Sequence, residues 1–163
     1  MLPLDPPLSP VAVRGERNPL SGLDPVQRAA LRSDRRDPEV RGRFARHLLE
    51  TNPDSILGRM ILAELAPTPA ETEALLRDAV RIGQRLWGPE LTDEVPVRWF
   101  DDPETRVFMA AVSAYGRTLN RRGLEREARE CADFLLALDP ADRLNVEESV
   151  MERPPKMPRG GPS

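Results

Sequence analysis

A single cysteine, Cys131, excludes a disulfide framework within the chain. A single histidine, His47, accompanies it, too little for the clustered His and Cys of most metal sites. A Cys–His dyad would need these two distant residues to meet. His47 instead reads as a helix-surface residue and Cys131 as a small buried hydrophobe. Lysine is nearly missing, with Lys156 standing against 23 arginines. No run approaches the roughly 20 apolar residues of a bilayer span. No glycine-rich phosphate loop occurs, since Gly160-Gly161 falls in a proline-rich tail. This inventory leaves no catalytic residue, no metal site and no cofactor to nominate, and the chain reads as a non-enzyme.

The net charge of −3 gives no global electrostatic case for nucleic acid or membrane. The charges are patchy, however. Residues 26–50 carry seven Arg against four acids, residues 117–129 five Arg against two acids, and residues 88–104 six acids against Arg98 alone. Arginine in place of lysine fits either a GC-rich coding bias or recognition of carboxylate and phosphate by the guanidinium fork. The acids Glu90, Asp93, Glu94, Asp101, Asp102 and Glu104 lack the spacing of a calcium loop and read as a solvated acidic loop. The N-terminus has no basic region before an apolar run, so the expected location is the cytoplasm.

Eighteen prolines are tolerable because of where they fall. Six lie in the first 25 residues and four in the last ten, which predicts disordered tails at 1–22 and 152–163. Most others mark helix edges. Asp24-Pro25, Asp37-Pro38, Thr68-Pro69 and Asp102-Pro103 each place a capping side chain before proline at the first helical position. Between them Val40, Phe44 and Leu48 form one helical stripe, and Leu75, Ala79, Ile82 and Leu86 another. Phe108, Ala111, Val112, Tyr115 and Leu119 form a third, and Ala128, Cys131, Leu135 and Leu138 a fourth. Alternation of period two is confined to Val95, Val97 and Trp99. The fold expected over 23–151 is all-α.

Residues 109–142 are similar to one tetratricopeptide unit, a helical hairpin of 34 residues. Gly116, Leu119, Gly123, Ala128, Leu138 and Pro140 match its small, apolar, turn and terminal positions. Ala132 and Leu135 depart from it. Asn52-Pro53 ends a second partial match, and two units with an insertion at 87–102 fill the distance to Pro140. From Trp87 to about Val146 the order Gly88-Pro89-Glu90, Trp99, Glu104-Thr105-Arg106, the repeat, and Asp139-Pro140-Ala141-Asp142 resembles the C-terminal repeat region of the suppressor-of-tumorigenicity family. Many bacterial repeat proteins share this pattern. Val107-Phe108 stands where the family has Pro-Tyr. The resemblance implies a tetratricopeptide-like α-α superhelix of stacked hairpins, used for interaction and without catalytic residues.

In that frame Ala110, Ser113, Arg117, Asn120 and Arg121 face a groove, a polar and basic surface suited to an acidic peptide. The expected function is therefore a protein-binding scaffold or adaptor. One alternative is RNA or DNA binding through Arg28, Arg32, Arg35, Arg36, Arg41, Arg43 and Arg46. Phe44 is the only aromatic among these arginines, and its stripe assigns it to the core, which argues against nucleic acid. The other alternative is an accessory subunit or homodimer completing a stack that lacks a capping helix. Trp99 and Phe100 in the insertion are too apolar to stay exposed and are expected to dock, either across the groove with the acids facing Arg117 and Arg121 or on a neighbouring subunit. The boundaries predict that limited proteolysis trims both ends to a core of about 125 residues, whereas rapid cleavage inside 104–138 contradicts the hairpin.

Overall fold

The computed structural model describes residues 37–92, 99–101 and 103–153. The tail 1–22, the Asp24-Pro25 start signal and most of the tail 152–163 lie outside them. Among the described residues the chain is all-helical, with six helices and no strand. These are α1 (Pro38–Thr51), α2 (Ile56–Leu65), α3 (Pro69–Thr92), α4 (Pro103–Arg121), α5 (Glu125–Leu138) and the short α6 (Val146–Ser149).

The start signals work as the side-chain chemistry requires. Asp37 accepts from the N–H groups of Glu39 (3.0 Å) and Val40 (3.4 Å), with Pro38 at the first helical position. Ser55, buried in the α1–α2 turn, accepts from Gly58 N–H (3.0 Å), and Thr68 accepts from Glu71 N–H (3.2 Å) at the start of α3. Gly123 ends α4 with φ 82°, a left-handed value that suits glycine. The turn lets Leu124 N–H return to Leu119 O and Gly123 N–H to Asn120 O, both at 3.0 Å, the paired bonds of a Schellman end.

Each helix packs on the next, and α4 also touches both α2 and α6. The even-numbered helices thus share one side of the stack. The main core runs from Leu76, Val80 and Trp87 on α3 through Phe108, Met109 and Val112 on α4 to Cys131 and Leu135 on α5. It continues into Val146, Val150 and Met151. A satellite cluster of Ala45, Leu48 and Ile61 joins α1 to α2. Small residues set the approach distances. A Cβ on Gly83 would lie 2.0 Å from the Phe108 ring, and one on Gly116 would lie 2.8 Å from Val150 and 2.9 Å from Cys131. Ala128, on α5, has no exposed surface.

Three boundaries differ from the sequence reading. The segment 87–102 does not begin as a loop: α3 continues to Thr92 through Gly88-Pro89, because a proline removes a single i→i−4 bond, a defect that can kink a helix without ending it. Glu152 and Arg153 do not belong to a free tail, since both form ion pairs with α4, α5 or α6. The last hairpin is also capped, by α6 and the residues that follow it. Their apolar spacing (Val146, Val150, Met151) buries three side chains against α4 and α5.

Overpacking a close approach costs about 1–3 kcal/mol or more. Gly83→Ala and Ala128→Trp should therefore each lower the melting temperature by several degrees. The cost of Gly83→Ala should shrink in a Phe108→Leu background, and equal costs in both backgrounds would show that the α3–α4 approach is not the constraint.

Candidate functional site

The face nominated by the sequence is carried by the second half of α4. Arg117, Asn120 and Arg121 stand three and four residues apart, hence on one helical face. Ser113, one turn earlier, belongs to the packed interior at 6% exposure, so it is not part of an open groove wall. The inward turn of that position follows from α4 being covered by α2, α3 and α5 together.

Arg117, Asn120 and Arg121 converge on one segment, the residues that close α6. Arg117 Nε donates to Ser149 O (2.7 Å), Asn120 Nδ2 to Met151 O (3.1 Å), and Arg121 Nε to Glu152 Oε1 (2.8 Å). Two main-chain carbonyls and a carboxylate are thus read by three polar side chains on one face of one helix. Arg117 makes no second hydrogen bond among the described residues, which leaves its two terminal nitrogens open. From the other side, Arg129 pairs with Glu147, and Arg153 pairs with Glu125 (2.9 Å) and Glu147 (3.7 Å), bracing the segment on α5.

Two clefts flank this contact. One, of 420 Å³, lies between α4 and α6 beside Leu144, Asn145 and Glu148. The other, of 300 Å³, lies between α2, α3 and α4, with Met60, Ala63, Leu76 and Ala114 lining it and Glu64 at its side. Arg117 and Arg121 line both.

Trp99 and Phe100 sit elsewhere. Trp99 is buried edge-on against Trp87 with ring centroids 6.1 Å apart, and Thr105 Oγ1 donates to its carbonyl at 2.5 Å. The half-buried Phe100 ring has the Arg143 guanidinium 4.2 Å and the Arg106 guanidinium 4.9 Å from its centroid. Arg106 Nε also donates to Phe100 O (2.6 Å). Asp101 pairs with Arg143 (2.7 Å), so its partner is neither Arg117 nor Arg121. Both arginines of this dock were missed in the sequence. Arg143 follows Asp139 by four residues, a pairing distance that could have signalled it. Asp93, Glu94 and Asp102 lie outside the described residues.

Glu73 is buried and receives Arg77 (2.7 Å) and Arg122 (2.5 Å), tying α3 to the end of α4. Burial pushes the Cys131 thiol up to about 12, so it is not a thiolate nucleophile near neutrality. His47 is exposed on α1. Among the described residues no group of three or more His, Cys, Asp or Glu side chains could hold a metal ion. No described helix is long and apolar enough to cross a membrane. Compared with protein-family models, curated proteins and solved structures, the chain matches none.

Asp139 closes the α5–α6 turn. It accepts from Arg143 N–H (2.9 Å), Nε (3.1 Å) and Nη2 (2.8 Å), and this hydrogen bonding holds its carboxyl below the usual range. A carboxylate lowered in the native state stabilises above its unfolded pKa of about 4, and the contribution disappears as pH falls through the native value. Asp139→Asn should therefore be less stable than the parent at pH 7, with the gap closing as urea midpoints are followed below pH 4. A gap that stays constant on acidification would mean that the charge of Asp139 does not hold the turn.

Proposed function

We propose that the chain is a protein-interaction module, a tetratricopeptide-like stack of helical hairpins whose α4 face takes acidic peptide segments. One observation carries this reading. Arg117, Asn120 and Arg121, nominated in the tetratricopeptide-like frame, already hold a peptide segment, the chain's own residues 149–152, through two main-chain carbonyls and the Glu152 carboxylate. Recognition of carbonyls and a carboxylate by side chains of one helix is the chemistry a peptide groove requires. The alternation of helices, with α4 touching α2 and α6, supports the same architecture because each hairpin buries a face only against its neighbours.

The arginine stripe of α1 favours this over nucleic-acid binding. Arg41 is taken by Glu64 at 2.6 Å and Arg43 faces Glu39 at 4.0 Å, so the described part of the stripe is partly neutralised, while Arg28, Arg32, Arg35 and Arg36 lie outside the described residues. An accessory subunit or homodimer that completes an uncapped stack is less favoured, since the short α6 and the residues after it already cover the last hairpin.

A labelled, end-blocked hexaglutamate peptide should bind, hexaglutamine should not, and affinity should fall with salt. Arg117→Glu should weaken binding at least tenfold, the scale of a charged hydrogen bond lost and a repulsion gained. Absence of binding, or binding indifferent to Arg117→Glu, would overturn the proposal.

A further inference from the structure

We infer that Glu152 is an internal competitor on this face, occupying Arg121 until a carboxylate of an acidic peptide replaces it. The inference rests on the reading of the α4 face as a peptide groove and names how that groove is regulated.

The backbone marks the residue. Glu152 has φ 52°, in the left-handed region that glycine adopts freely and that other side chains adopt at a cost. The turn it makes returns Arg153 N–H to Glu147 O (3.2 Å), which a glycine would serve with less strain. What glycine would lack is the carboxylate, which meets Arg121 at 2.8 Å from Nε and 2.6 Å from Nη2.

The contact is also built to exchange. Its side chains are 65% and 37% exposed, the setting in which ion pairs are weak and screened by salt. Val150 and Met151 beside it are 0% and 5% exposed and anchor the segment to the core. A ligand therefore has only a carboxylate to move, and the segment itself stays in place. The cleft between α2 and α4 offers the route, because Arg117 and Arg121 line it as well as the cleft beside α6. An acidic side chain arriving there meets the open nitrogens of Arg117 and competes with Glu152 for Arg121.

The test measures binding of the end-blocked hexaglutamate peptide to the full chain. Glu152→Gly and Glu152→Gln should tighten binding about two- to fivefold at low salt, the range of an exposed ion pair. That gain should vanish when Arg121 is also replaced by Ala. Glu50→Gln, an equal change of net charge on the exposed surface of α1, should leave affinity unchanged. Melting curves of both Glu152 variants confirm that the fold is kept. If the Glu152 variants bind like the parent while Arg117→Glu abolishes binding, the groove stands and the competitor falls. If Glu50→Gln tightens binding as much, the effect is general charge and the inference fails. If neither parent nor Glu152→Gly binds, the groove reading fails and this inference with it.

Discussion

Two glycines allow α4 to be approached closely enough that one added methyl group would collide. Gly83 on α3 lies under the Phe108 ring, and Gly116 on α4 lies under Val150 and Cys131. Helix axes can come this near only where side chains are withdrawn, and the gain is dense packing on several sides of one helix. Phe108, Met109, Ala111 and Val112 consequently have no exposed surface. With α2, α3 and α5 packed on α4, Arg117, Asn120 and Arg121 lie together on the face of α4 that meets the residues closing α6.

The arginine excess has a structural use within the same frame. Arg41 joins α1 to α2, Arg122 reaches back from the end of α4 to Glu73 on α3, and Arg129 joins α5 to α6. Arg143 serves two carboxylates and an aromatic ring at once. A planar fork with several donors can do this from one side chain, whereas an ammonium presents a single point of charge. Most exposed pairs of this kind contribute little energy each. They commit these arginines to the scaffold, whereas the guanidinium head of Arg117 keeps donors to spare among the described residues.

Helix starts were legible from short-range chemistry. Asp37-Pro38 and Thr68-Pro69 cap where the side chain and ring dictate, and Gly123 turns where the spacing of residues 109–142 places it. The alignment of Arg117, Asn120 and Arg121 was legible for the same reason, since helical periodicity alone puts them on one face. Ser113 fails on the same periodicity because burial depends on how many neighbours cover a turn, a long-range fact. The end of α3 was misplaced through reading Gly88-Pro89 as a stop, when a proline costs a helix one hydrogen bond and need not end it. The capping role of residues 146–153 was obscured by their length: four helical residues are too few for periodicity to register.

Charge complementarity pointed to an acidic segment lying over Arg117 and Arg121, and such a segment is there, but it comes from a different part of the chain. The insertion was the obvious source because it holds the densest acids. Which acids arrive is decided by topology. The α5–α6 connection turns the chain back through left-handed Asp142 and Asn145, with Asp142 accepting Val146 N–H at 2.9 Å. That turn delivers Glu152 to α4, while Asp101 stays with Arg143 at the other end of the helix pair. Glu152, brought by a fixed turn, thus reaches Arg121, whereas Asp101, next to α4 in sequence, does not. The connection gives Glu152 a high effective concentration at Arg121. On the proposed reading, an incoming peptide would have to offset the proximity of Glu152 through contacts along the cleft, because its own charge alone would meet a competitor that is already in place.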